Sequence, residues 1–324
     1  MAAAGGKKIK IILQALGPVI FIYILSQINY GLFFAEIKTI KWPFLILVVG
    51  FLTLEVILKS FRWQTILSSL GIAVSRSYSI GLYWIGLLVG IITPGKFGEL
   101  IKIYFLKTKG YSVFRSFFSI ILDRLSDIFV LLSLGFLIFL FFLKDTGVYI
   151  LSFGIIFVLI VIFIFLLINR QSWLHQIMGK FIQKFFSVDF NDYNRFTFKK
   201  LWQGIWNLEK EKIFYFFIYL IVSWLTYFLA RYTVALSLGL DLSFIKVAIV
   251  SSLISIVTIL PISIAGLGTR EASVIYLFGL FGLHKEEALL FSLLIFTFDM
   301  IVISFGFIPY LKESALINQI KKDG

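Results

Sequence analysis

The stretches Thr93-Pro94-Gly95-Lys96-Phe97-Gly98 and Pro261-Ile262-Ser263-Ile264-Ala265-Gly266-Leu267-Gly268 decide how this chain is read, because they interrupt the apolar segments Tyr78–Leu106 and Phe244–Leu283. Proline removes a backbone donor and glycine admits conformations closed to other residues, so a helix meeting either motif breaks. At membrane depth no water is at hand to satisfy the freed peptide groups. Such a break is tolerated only against protein or a water-filled cavity.

Uninterrupted apolar runs lie around these motifs at Ile11–Ile28, Pro43–Leu58, Phe117–Leu143, Val148–Ile168, Ile213–Leu236 and Ala288–Tyr310. Each approaches or exceeds the roughly 20 residues that a helix needs to cross the hydrocarbon core. With 60% hydrophobic, 18% aromatic and only 15% charged residues, the 324-residue chain falls outside the soluble range. The expected fold is an all-α polytopic membrane protein, a single integral membrane domain over 1–324, with about six transmembrane helices and two re-entrant broken-helix hairpins. Lys7, Lys8 and Lys10 precede the first run as in a signal peptide, but no small-residue cleavage site follows, so that run is read as a retained helix.

The absence of cysteine removes disulfides, thiolate metal sites and thiol nucleophiles, and two histidines, His175 and His284, cannot build an imidazole cluster. Neither a metal nor a cofactor is expected. The net charge of +13 sits in loops flanking apolar spans rather than on a soluble face, which points to anionic lipid and away from nucleic acid.

Basic residues at the N-terminus, at Lys59, Arg62 and Arg76, at Lys107, Lys109 and Arg115, and between Arg170 and Lys212 mark the cytoplasmic side. Lys144-Asp145 and His284-Lys285-Glu286-Glu287 suit the outside. If Tyr78–Leu106 crossed the membrane, Lys107, Lys109 and Arg115 would land opposite Arg76; as a hairpin it leaves all four cytoplasmic. The same reasoning makes Phe244–Leu283 a hairpin entering from outside, with Lys246 and Arg270 against it, and puts both termini in the cytoplasm of a cell-membrane protein.

Glu99, Tyr104, Gly110 and Asp127 recur as Glu271, Tyr276, Gly282 and Asp299, all at an offset of 172 residues. Leu70-Gly71 with Ser75 matches Leu238-Gly239 with Ser243 at 168, as a four-residue insertion before the second break would produce. An odd number of crossings separates repeat 1, about 43–143, from repeat 2, about 213–310. The copies then run in opposite directions, and in such inverted repeats the substrate site lies near the midplane, where helix breaks present free backbone N–H groups. The break residues Pro94, Gly95, Gly98, Pro261, Gly266 and Gly268 would frame it.

Charge inside the spans completes the candidate site. Asp123 and Asp127 share a helix face, with Arg124 between them, roughly 10–15 Å into their span. Asp299 lies near mid-bilayer, where an ionised carboxylate costs at least about 2.5 kcal/mol and requires a partner. Arg270 or Arg231 could answer Asp299, and Arg124 could answer Glu99 or Asp127. In the functional reading Lys96, Arg124 and Arg270 hold phosphate oxygens while Glu99, Asp123, Asp127, Glu271 and Asp299 take protons or a cationic head group. In the bland reading these ions are structural pairs. Glu55 carries least information, since it faces Lys59 at i+4.

Leu174, Ile177, Met178, Phe181, Ile182 and Phe185, and then Leu201, Trp202, Ile205 and Leu208, follow helical spacing, so about 172–212 reads as cytoplasmic interfacial helices. Lys180, Lys184, Lys199 and Lys200 make them a basic tether.

Arg62-Trp63, Pro94-Gly95-Lys96-Phe97-Gly98-Glu99, Asp123-Arg124-Leu125-Ser126-Asp127 and Gly266-Leu267-Gly268-Thr269-Arg270-Glu271 together resemble the lysylphosphatidylglycerol synthase/flippase transmembrane family over most of the chain. The family pattern has arginine where Lys96 stands and glutamate where Asp123 stands. The resemblance implies translocation of a phospholipid or lipid-linked head group, with these motifs lining the route. Ending at Gly324, the sequence is expected to lack the soluble aminoacyl-transferase domain of fused members, so lipid lysylation by this chain is not expected.

A flippase for anionic or zwitterionic lipids is therefore the leading expectation. A membrane-embedded transferase or hydrolase acting on a lipid-linked phosphate or sugar is the alternative, although no recognised catalytic motif supports it. A third reading is a scaffold for a lipid-modifying enzyme partner. Neither the lipid nor the oligomeric state is fixed by these residues.

Overall fold

A computed structural model of the chain describes residues 16–142, 209–259 and 263–323. Lys7, Lys8, Lys10, Val148–Ile168, Pro261 and the amphipathic stretch from Leu174 to Leu208 lie outside the described residues. Within them every regular element is helical. In chain order these are α1 (Leu16–Ser26), α2 (Tyr30–Lys38), α3 (Trp42–Ser69), α4 (Arg76–Ile91), the 3-10 turn Pro94–Leu100, α5 (Ile101–Thr108) and α6 (Val113–Phe142). There follow α7 (Lys210–Ser237), α8 (Phe244–Ile259), the 3-10 turn Ile264–Gly266, α9 (Thr269–Gly279), α10 (Lys285–Ser304) and α11 (Phe307–Asp323).

Three helices in the described residues are long and apolar enough to span a membrane: Trp42–Ser69, Lys210–Ser237 and Lys285–Ala315, the last running from α10 into α11. They contain the apolar runs at 43–58, 213–236 and 288–310. The α1–α2 pair passes the same test only as one bent span, its halves meeting at 89° where the Asn29 side chain caps α2 by accepting from Gly31 N and Leu32 N. α6 covers the described part of the 117–143 run.

Helix boundaries repeat along the chain. α3 and α7 each have 28 residues and α4 and α8 each have 16, both pairs offset by 168, whereas α6 and α10 begin 172 apart. The glycines shared by the two copies have a physical cause: α3 and α7 end at Gly71 (φ 72°) and Gly239 (φ 69°), left-handed residues that let the next N–H reach back to the carbonyls of Leu67 and Ala235. Gly110 and Gly282 close α5 and α9 in the same way, through Tyr111 N to Leu106 O and Leu283 N to Phe278 O.

The breaks themselves align at an intermediate offset of 170. Gly95 and Lys96 are consecutive left-handed residues (φ 62° and 57°), and so are Ala265 and Gly266 (φ 55° and 76°). A hydroxyl closes each loop: Thr93 Oγ1 accepts from Gly98 N at 2.7 Å, and Ser263 Oγ meets Thr269 Oγ1 at 2.8 Å. The four extra residues of the second copy thus fall on both sides of its left-handed pair, not wholly before it.

Contacts divide the chain into two units, one gathering Met1–Lys59, Ile80–Ile101 and Ile221–Gly324, the other Ser60–Ser79 and Lys102–Leu220. In the first unit the two 3-10 turns touch each other and α8 packs on both, while α9 lies on α10 and α10 on α2. Gly268 makes the closest approach there; a Cβ on it would sit 2.0 Å from the carbonyl oxygen of Gly17 in α1. Gly306, between α10 and α11, lies against the Trp84 carbonyl of α4, and the Trp84 indole donates to Val302 O at 2.9 Å. In the second unit the Ser79 hydroxyl donates to Ser60 O, the Tyr78 hydroxyl to Phe105 O, and Arg115 Nη1 to Leu70 O, which joins the helix ends through side chains.

Candidate functional site

The first unit holds Lys96, Glu99, Arg270, Glu271 and Asp299; the second holds Asp123, Arg124 and Asp127. Each unit has its own ion cluster, built in a similar way.

In the first unit α7 carries Arg231 to α10, where Nη2 contacts both Asp299 oxygens at 3.1 and 3.2 Å. Both contacts come from one nitrogen, so the pair lacks the two-nitrogen fork of the strongest arginine–carboxylate pairing. On the other side Glu55 of α3 places Oε2 3.6 Å from Arg231 Nη1, while its Oε1 takes a 2.7 Å bond from Lys59 one turn on. The Tyr227 ring lies under the guanidinium at 3.8 Å. Of the two arginines the sequence offered to Asp299, Arg231 makes the direct contact.

Arg270, at the start of α9, is held differently. Its Nε donates to Glu271 Oε1 and Ser292 Oγ, both at 3.0 Å, its Nη2 also binds Glu271 Oε1, and the Phe296 ring stacks on it at 4.5 Å. The other oxygen of Glu271 accepts from Gly268 N at 2.6 Å, so this carboxylate caps the helix that follows the break. Asp299 is within electrostatic reach of Arg270 and of Lys96, while its direct contact is with Arg231. Lys96 is exposed at the first break, whereas Glu99 is buried beside Gly90 of α4, where a Cβ would meet Glu99 Cγ at 3.0 Å.

In the second unit Arg62 of α3 reaches α6. Its Nε bonds Asp123 Oδ1 at 2.9 Å and its Nη1 bonds Asp127 Oδ1 at 2.7 Å, with Arg62 and Asp123 wholly buried. Trp63, the next residue, donates to Ser119 Oγ, and the buried Lys102 ammonium of α5 stands over the Trp63 ring at 4.7 Å. Arg124 is half-buried on α6. Sequence reasoning quoted Arg62-Trp63 but did not set Arg62 against the two aspartates, and it missed Lys102. The available signal was the repeat: Arg62 and Arg231 fall one residue from equivalence at offset 168, and their partners Asp127 and Asp299 are equivalent at 172.

The first cluster is the more open of the two. Its cations Lys96, Arg231 and Arg270 and its carboxylates Glu55, Glu271 and Asp299 form a zwitterionic patch, with the Asp299 side chain 28% exposed. The second is sealed, with the Asp127 side chain only 10% exposed. Among the described residues, no group of three or more histidine, cysteine, aspartate or glutamate side chains could hold a metal ion. No curated protein matches the chain. Residues 9–306, which include both breaks and both clusters, match the family described as the lysylphosphatidylglycerol synthase TM region, and the chain belongs to that family.

Proposed function

From that membership, which gives the protein a membrane lipid-related function, we propose that it is a flippase or transporter that moves a phospholipid or lipid-linked head group through the junction of its two breaks. The observation that carries this reading is the direct contact of the two left-handed breaks, with exposed Lys96 on one side and the Arg270 cap and Asp299 on the other. Left-handed residues and closing glycines leave backbone polar groups and side-chain charge at one place, as a head group crossing hydrocarbon requires.

In this reading Lys96 and Arg270 attract the phosphate, Asp299 answers a cationic group or a proton, and Glu99 and Glu271 hold the broken helices in place. In the second unit Asp123, Asp127 and Arg62 tie α3 to α6, and Arg124 lies beside them as a further candidate for head-group contact. The recurring helix boundaries support an inverted repeat of about 43–143 and 213–310 with six crossings and two re-entrant hairpins. Both termini then face the cytoplasm of a cell membrane, and the partners are anionic or zwitterionic lipids, with a lipid-modifying enzyme as supplier or consumer. Transport in this reading calls for neither a cofactor nor covalent chemistry.

The test is scrambling of labelled phospholipid in proteoliposomes. Wild type is expected to transport, and Glu271→Gln and Asp299→Asn to transport more slowly. Equal transport by all three proteins removes the site assignment. Orientation is tested separately by cysteines placed in Lys107–Arg115 and His284–Glu287 of this cysteine-free chain; labelling of Lys107–Arg115 from outside contradicts the inverted repeat.

A further inference from the structure

Among the described residues the buried arginines are Arg62, Arg231 and Arg270, and they differ in which donors are held. Arg62 is engaged by two aspartates, and Arg270 by Glu271 and Ser292. Arg231 is different. Its side chain is 9% exposed, its Nη2 is held by Asp299, and its Nη1 makes no hydrogen bond, with Glu55 Oε2 at 3.6 Å. The Tyr227 hydroxyl pairs with Ser255 Oγ at 2.6 Å and also lies within hydrogen-bonding reach of the guanidinium. A buried guanidinium donor without a hydrogen bond is costly and is a place for a strong acceptor.

We infer that Arg231 is the head-group contact of the site: it takes a phosphate oxygen through Nη1, and Asp299 is the internal anion that competes with that phosphate for the guanidinium. This rests on the transport reading above and deepens it, moving phosphate recognition from Arg270, whose Nε and Nη2 are already held by Glu271 and Ser292, to Arg231. Geometry supports the competition. A phosphate diester offers two oxygens at a spacing that matches the planar guanidinium fork, of which Asp299 holds only Nη2. Arg231 therefore faces two similar anions, one tethered and one brought by the lipid.

Charge balance specifies the exchange. When phosphate replaces Asp299 on Arg231, the carboxylate is left facing Glu55 from α3, Arg270 from α9 and Lys96 from the first break. Either the two cations take it over, or it accepts one proton from water and becomes neutral, so that phosphate and proton arrive together. Lys59 holds Glu55 Oε1, while Glu55 Oε2 stays 3.6 Å from Arg231 Nη1. Release reverses the order: Asp299 loses its proton, recovers Arg231 and expels the phosphate.

The experiment measures binding, not transport, on the full chain in detergent, titrated with short-chain phosphatidylglycerol and separately with inorganic phosphate. Asp299→Asn, which keeps the shape but removes the competing charge, is expected to bind the lipid about ten-fold tighter at neutral pH, since no internal competitor then reduces the available fraction. It should also lose the strengthening on acidification expected of wild type. Arg231→Gln is expected to abolish binding, with Arg231→Lys, which keeps the charge but not the fork, weakened but folded. Preference for the short-chain lipid identifies a head group as the ligand; equal binding of inorganic phosphate identifies a free-anion site on the same arginine. Unchanged affinity and unchanged pH dependence in Asp299→Asn, or wild-type binding by a folded Arg231→Gln, overturns the inference. Because lipid scrambling is read independently, a protein that scrambles normally with these binding results loses only the Arg231 assignment. One that binds as expected but never scrambles loses the transport reading.

Discussion

Arg62 with Asp127 and Arg231 with Asp299 are the same device built twice, an arginine on the long helix before the break set against an aspartate on the long helix after it. Their surroundings separate them. The first pair is closed over by Asp123, Trp63 and Lys102, with nothing left to exchange. The second has a partly exposed carboxylate, a guanidinium donor without a hydrogen bond, and two further cations in reach. A duplicated ion pair thus serves as a clamp where it is sealed, and it can serve as a binding element where it is open.

The largest expected effect tests the sealed side. Arg62→Ala removes the guanidinium that both aspartates bond and is expected to cost about 3–5 kcal/mol, read as a steep fall in the thermal midpoint of the detergent-solubilised protein. Arg231→Ala, which leaves carboxylates that water and neighbouring cations reach, should lower the midpoint much less. Equal losses would erase the distinction between the clusters.

A smaller effect is expected at the close approach beside the open cluster. Gly268→Ala drives a methyl into the Gly17 carbonyl and should destabilise by about 1–3 kcal/mol, with α1 displaced and nearby cysteine probes more reactive. Unaltered stability and reactivity would mean that the α1 crossing does not hold the second break.

The smallest is a gain. Ala265 sits at φ 55°, where an L side chain costs about 1–2 kcal/mol and glycine nothing. Glycine gives back roughly 0.5–1 kcal/mol through its freer unfolded chain, so Ala265→Gly should be more stable by about 0.5–1 kcal/mol. Lowered stability on thermal unfolding would show that the methyl packs usefully in the break.

Much of this was legible in the residues because the rules that produced it are local. Proline and glycine placed both breaks, the 172-residue offset tied Glu99 to Glu271 and Asp127 to Asp299, and a mid-span carboxylate required a cation, for which Arg231 was one of two choices. The left-handed pairs were less visible, since Gly-Lys and Ala-Gly share no letters in register and only backbone angles align them. The role of Arg62 was hidden for a related reason. It lies at the end of an apolar run, where the positive-inside rule accounts for any arginine, and its partners are more than 60 residues away across a packing that sequence spacing does not encode. The touching of the two breaks is likewise tertiary information.

The most direct test of the central claim, that the open cluster works and the sealed one holds, compares Asp127→Asn with Asp299→Asn in proteoliposomes, with lipid scrambling measured per folded molecule. Asp299→Asn is expected to slow scrambling about ten-fold, because a phosphate that no internal anion displaces is released slowly. Asp127→Asn should lower thermal stability while each folded molecule scrambles at the wild-type rate. The reverse pattern, with scrambling lost in Asp127→Asn and intact in Asp299→Asn, contradicts the account.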